Sequence, residues 1–156
     1  MSDLKATIPG RPGPKGSTVS FCLRCAHKHL PQQIATKEQS KVGEAFRRVI
    51  AKALRRPKGS ERTTATQTVA WVYIERQKQV RGGVALDTYV PSSMTPAPIS
   101  QQSGDIEKHA RNLHDALQDA HILADDAIVT DLIIRKRWAT EEHPAGIEIE
   151  ISDAPL

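Results

Sequence analysis

Residues 104–131 read GDIEKHARNLHDALQDAHILADDAIVTD, and the rest of the chain is read outward from them. Ile106, Ala110, Leu113, Leu117 and Ala120 recur at steps of four and three, the spacing of an amphipathic helix with one buried stripe. Acidic groups stand at both ends: Asp105 and Glu107 at the start, Asp119 in the last turn, Asp125 and Asp126 just beyond. Carboxylates in a first turn suit the positive end of the helix dipole, whereas acids near the far end oppose it. Such a set is either a solvated acidic face or a group gathered around a cation, and hard oxygen donors select Mg²⁺, Mn²⁺ or Ca²⁺. Glu107, Arg111 and Asp115 lie four apart on one helix face. That spacing gives an ion-pair ladder, or it sets a guanidinium beside a substrate anion.

On either side of this helix the pattern turns to strands. Ile128 to Trp138 reads as one, with Arg135-Lys136-Arg137 near its end, and Gly146 to Ile151 alternates with its glutamates outward. Thr68 to Ile74 is apolar on both faces and fits a central strand, with Val84 to Val90 as a returning one. Leu4, Ala6 and Ile8 alternate as a short opening strand. A second helix spans 37–55, with Thr36 and Gln39 as a capping box and a buried stripe of Val42, Ala45, Phe46, Val49, Ile50, Ala53 and Leu54. Residues 91–104, PSSMTPAPISQQSG, have the composition of a flexible loop. The order β, β, α, β, β, α, β, β predicts an α+β fold. It is a single domain over 1–156, with two principal helices on one small mixed sheet.

The net charge of +4 hides an asymmetry. Residues 1–103 hold 17 Lys and Arg against six Asp and Glu; residues 104–156 hold five against 12. A basic majority beside an acidic segment suits a protein that grips phosphates and places a metal on them. Arg11 and Lys15, in a Gly/Pro-rich loop, are candidate phosphate contacts, as are Arg55, Arg56 and Lys58 at the exit of the first helix. Arg47, Arg48, Lys52 and Arg62 extend that basic face, and a plainly solvated surface is the alternative. No GxxxxGK[ST] spacing is present, which argues against an ATP-binding loop. The chain has no run of 18 apolar residues and no apolar leader, so a cytoplasmic protein is expected, with no membrane contact.

Cys22-x2-Cys25 with His27 and His29 offers four donors of the types zinc takes. Their spacing is tight, and no distant second pair accompanies them. Free thiols and histidines on a strand or turn are the competing reading.

One resemblance covers about 25 residues without gaps. The order Asp105-Ile106-Glu107, Arg111, Asp115-Ala116-Leu117, Asp125-Asp126 resembles the RusA family of Holliday-junction resolvases. Glu107 stands where the commonest pattern has Asp, Lys108 where it often has Asn, and Arg111 where it often has Lys. The opening strand, Gly/Pro loop and Lys15 are similar to the start of such chains, and Lys136 matches a lysine on the strand after the helix. The resemblance implies a Mg²⁺-dependent endodeoxyribonuclease of phage or prophage type. It would be a homodimer that cuts symmetric strands of a four-way junction in the host cytoplasm.

Phosphodiester hydrolysis needs an activated water, a polarised phosphoryl oxygen and a stabilised leaving oxygen, and divalent ions held by carboxylates serve all three. The implied ligands are Asp105, Glu107 and Asp126, with Asp125 beside them, and Arg111 would stabilise charge at the scissile phosphate. The competing functions are a non-catalytic nucleic-acid-binding module, stabilised by zinc at Cys22, Cys25, His27 and His29, and a Mg²⁺-dependent enzyme acting on nucleotides. The missing phosphate-cradling Gly loop counts against the last.

Overall fold

The β-branched and aromatic run TQTVAWVYI becomes the strand on which the sheet is built. A computed structural model describes residues 3–13, 18–22, 34–38, 41–99 and 103–155, with backbone alone for 18–22 and 34–38. The strands are β1 (Leu4–Pro9), β2 (Thr18–Cys22), β3 (Ile34–Glu38), β4 (Thr66–Ile74), β5 (Lys78–Arg81), β6 (Val84–Tyr89), β7 (Val129–Trp138) and β8 (Gly146–Asp153). The helices are α1 (Lys41–Leu54) and α2 (Ile106–Asp119). The main sheet has the order β1-β8-β4-β7, with β4 and β7 parallel and the other pairs antiparallel. The α+β expectation holds, with both helices on one face of a mixed sheet.

Period-two alternation decides which face is covered. Ala70 and Val72 of β4, Ile147, Ile149 and Ile151 of β8, and Ile8 of β1 point to the helices. There they meet Phe46 and Ile50 of α1 and Leu113, Ala116 and Leu117 of α2. Burying each large aliphatic side chain contributes roughly 1.5–3 kcal/mol, so this one layer carries most of the stability. Gly146 is required where β8 crosses β1, because a Cβ there would meet the Ile8 carbonyl oxygen at 2.4 Å.

The two helices are tied together by polar groups as well. The buried Asn112 side chain of α2 donates to the carbonyls of Gly13, at 2.9 Å, and Gly43, at 3.0 Å. Gly13 approaches α1 so closely that a Cβ would meet the Gly43 nitrogen at 2.5 Å. The end of α2 closes with His121 in the left-handed region (φ 59). His121 N–H donates to the Gln118 carbonyl and Ile122 N–H to that of Leu117, at 3.0 and 2.9 Å. This is a Schellman closure, with Ile122 and Leu117 both buried.

Several expectations are corrected. α1 starts at Lys41, and the expected capping Thr36 lies in β3, paired with Ser20 of β2. Along α1 only Gly43, Phe46 and Ile50 are buried, while Val42 and Val49 are exposed, because the sheet reaches one narrow strip of the helix. The run 84–90 does return as a strand, but as half of a separate β5–β6 hairpin turned through Gly82 and Gly83. In the described parts of the segment read as a flexible loop, Trp138 Nε1 donates to the Thr95 carbonyl at 2.6 Å, and Ser103 Oγ to that of Pro98 at 2.7 Å. Gln77 N–H also donates to Ser93 Oγ at 3.0 Å. Among the described residues, no helix is long and apolar enough to cross a membrane.

Candidate active site

The first turn of α2 is built around a carboxylate that does not cap its own helix. Asp105 occupies the N-cap position in extended conformation, yet its side chain accepts no capping hydrogen bond. It stands exposed, 3.5 Å from Lys108. Glu107, one residue inside the helix, is exposed as well. Behind them the turn is fixed firmly. His109 is buried, and its Nε2 donates to the Ser103 carbonyl at 2.7 Å. Lys136 reaches over from β7 to Ser103 Oγ at 3.1 Å and to the Gly104 carbonyl.

Electrostatics at this end follow from burial. Desolvation lowers the Lys136 pKa, against the pull of Asp105. His109 is lowered chiefly by burial and further by the Lys136 charge, although its bond to Ser103 and the nearby Asp105 act the other way. Lys136, which the resemblance offers as a DNA contact, is half-buried and donates to Ser103 Oγ and to the Gly104 carbonyl. These bonds tie β7 to the residue that precedes Asp105.

Glu107, Arg111 and Asp115 do not form the ladder their spacing allows. Asp115 turns to Arg47 of α1 at 3.3 Å, and Arg47 also grips Asp119, Nε to Oδ2 at 2.6 Å. Among the described residues, Glu107 and Arg111 form no ion pair, and both are exposed. The start of α2 therefore presents two carboxylates and one guanidinium to solvent.

The other acids have local explanations. Asp119 offsets its unfavourable place at the helix C-terminus by pairing with Arg47. Asp125 caps the short 3-10 turn Asp126–Ile128, accepting from Ala127 N–H at 2.8 Å. Asp126 is exposed and acts on His114, raising its pKa against the larger lowering caused by burial. These two residues precede β7, whereas Lys136, near its end, is the one that touches Gly104. A divalent ion holds its oxygen ligands at about 2.0–2.6 Å. Asp126, on the turn before β7, and Asp105, at the head of α2, come from different elements, and Asp126 acts on His114 farther along α2. Among the described residues, no three His, Cys, Asp or Glu side chains converge as a metal-ligand set. The donors fit a different kind of site: Mg²⁺ commonly takes one or two carboxylates and completes its shell with water and substrate phosphate oxygens.

The expected basic contacts divide. Arg55, Arg56 and Lys58 lie just past α1, where Arg56 N–H donates to the Ala120 carbonyl at 2.8 Å, beside the far end of α2. Among the described residues none of the three forms an ion pair. Arg62, grouped with them by sequence, is 1% exposed and bonded to Asp153 at 2.6 Å, so it belongs to the interior. Arg47 and Arg48 are engaged by Asp119 and Glu44. Arg11 is exposed and lines an apolar groove with Val42, Phe46 and Val49. Lys15, Cys25, His27 and His29 lie outside the described residues, and Cys22 ends β2 with its side chain likewise outside them.

His109 and His114 escape a reading of the sequence, although His109 falls beside Ala110 on the buried stripe. No protein-family model matches the chain, and no curated protein matches it.

Proposed function

We propose that this protein is a Mg²⁺-dependent, structure-selective endodeoxyribonuclease that resolves four-way DNA junctions as a cytoplasmic homodimer, of the RusA type that phages and prophages carry. One observation supports this reading above the others. Asp105 and Glu107 are held at the head of α2 with no capping bond from Asp105, and Arg111, without an ion pair among the described residues, follows one turn later. Asp115, which sequence alone offers as Arg111's partner, is taken by Arg47.

A bound Mg²⁺ would polarise the scissile phosphate and supply an activated water. Asp105 and Glu107 would hold it. Arg111 would offset the negative charge that develops on the phosphate, as a permanently charged fork with five donors. Lys136, His109 and Ser103 keep the first turn rigid, so that the carboxylates need not reorganise on binding. Arg55, Arg56 and Lys58 supply backbone contacts at the other end of α2, about one helix length away (about 21 Å for 14 residues). Asp126, on the turn before β7, would be the further ligand that the resemblance implies.

The test is cleavage of a synthetic four-way junction in Mg²⁺, with EDTA as control. Paired symmetric nicks that vanish in EDTA are expected. Tight junction binding without any nicking would replace the enzyme with a nucleic-acid-binding module.

A further inference from the structure

β7 ends the main sheet, and among the described residues no strand pairs with its outer edge. The strand order places nothing beyond it, and among the described residues its strand pairing is with β4 alone. It is ten residues long, without proline, and carries Leu132 and Ile133 at 42% and 41% exposure. Soluble proteins usually shield such an edge with charge, a bulge or a covering segment. The charges here are Asp131 on one side of the apolar centre and Arg135 on the other. Neither forms an ion pair among the described residues.

From this pattern we infer that β7 pairs antiparallel with β7 of a second copy, centred on Ile133, to make one continuous eight-stranded sheet. The sequence around the centre is self-complementary only in that direction. Antiparallel pairing about Ile133 sets Asp131 opposite Arg135 of the second copy and Arg135 opposite its Asp131. It also sets Leu132 against Ile134 and Ile133 against itself. A parallel arrangement in register would oppose Asp to Asp and Arg to Arg, which cross-strand energetics penalise. Centring one residue further on would set Lys136 against Leu132 and lose the apolar match. The edge charges thus act as a selector: they oppose pairing with an arbitrary strand and favour a two-fold copy of themselves. The surface follows from the sheet edge and does not depend on the nuclease reading. The same register places Thr130 opposite Lys136 of the second copy, which brings the Asp126 end of each chain toward the other chain's Asp105.

Light scattering of the full chain, without DNA, tests the pairing. Wild type at tens of micromolar is expected to have the mass of a dimer. Asp131→Arg and Arg135→Asp should each shift it to monomer, and the double variant Asp131→Arg/Arg135→Asp should restore the dimer. Restoration shows that the single variants were folded. In a Cys22→Ser/Cys25→Ser background, Ile133→Cys should give a disulfide-linked dimer on mild oxidation, because directly opposed Cα atoms lie about 4.5–5.5 Å apart, within disulfide reach. Arg135→Cys should not. A monomeric wild type, or a dimer that persists in both single charge variants, overturns the inference. A monomer that still cuts junctions would overturn the pairing and leave the nuclease intact.

Discussion

Arg47 of α1 holds Asp119 of α2 in a two-pronged pair, Nε to Oδ2 at 2.6 Å and Nη2 to Oδ1 at 3.1 Å, while its Nη1 reaches Asp115 at 3.3 Å. One guanidinium thereby bridges two acids on adjacent turns of the facing helix. Arg47→Ala should lower unfolding stability by about 1 kcal/mol, near the upper end for a partly exposed pair, since two carboxylates are left facing each other. Arg47→Lys should recover only part, because an ammonium has no fork. Urea denaturation of the three proteins at low and moderate salt measures this, and an unchanged midpoint for Arg47→Ala would reduce the pair to decoration.

Asn112 joins three segments through one amide. Removing it in Asn112→Ala leaves the Gly13 and Gly43 carbonyls without that donor in a buried place, at a cost of about 2–3 kcal/mol. Asn112→Asp should be worse still, since a carboxylate cannot donate and its charge is buried. Equal stability of the two variants would contradict the donor role.

Glu107→Gln should lose at least a hundredfold in single-turnover junction cleavage, whereas Glu107→Asp should keep a substantial fraction. Charge is retained in the second and lost in the first. Glu107 is exposed and forms no ion pair among the described residues, so neither change should alter folding, which circular dichroism checks. Near-wild-type cleavage by Glu107→Gln would leave Asp105 without its proposed partner.

Replacing Arg55, Arg56 and Lys58 by Ala should weaken junction binding and flatten its salt dependence. The slope of log K against log salt should fall by about 0.9 for each phosphate that these cations neutralise. Arg62→Ala belongs to another class. It empties a buried site and removes the interior partner of Asp153, so it should reduce stability rather than the salt slope. A salt slope unmoved by the triple change would assign those cations to solvent.

The buried His109 makes folding sensitive to acid. Its pKa is lowered in the folded chain, so below the ordinary value of about 6.5 the unfolded chain binds a proton that the folded chain refuses. Its contribution is therefore complete above about pH 6.5 and is lost as pH falls toward the depressed folded value, by at most about 1.4 kcal/mol per pH unit. His114, lowered by burial in the same way, adds to the trend. Urea midpoints at pH 7.5 and 5.5 should differ, and His109→Gln should narrow the gap. A gap as wide as wild type in that variant would place the titrating group elsewhere.

Local pattern carried most of the elements. The steps along Ala110, Leu113 and Leu117 and the alternation of Ile147, Ile149 and Ile151 read directly as the buried faces they form. What sequence could not supply was partnership across distance. Arg62 looks like one more surface cation until Asp153, 91 residues later, meets it in the interior. Asp115 looks like the partner of Arg111 until the crossing of α1 and α2 delivers Arg47 first. The exposure of Val42 and Val49 likewise depends on how far the sheet extends beneath α1, which helical periodicity does not encode. The site was half legible for the same reason. Asp105 and Glu107 are neighbours by chain, whereas the place of Asp126 is set by the direction in which β7 runs.

That direction has a mechanical consequence. Lys136 reaches Gly104 only because it sits on the helix-covered side of β7, and strand side chains alternate sides at every residue. Sliding β7 by a single position against β4 would swing Lys136 to the opposite side, put Arg135 or Arg137 in its place, and let go of the segment that aims Asp105. The alignment of two parallel strands thus acts as a ratchet tooth for the carboxylate: the aim holds or is lost in whole steps and cannot drift.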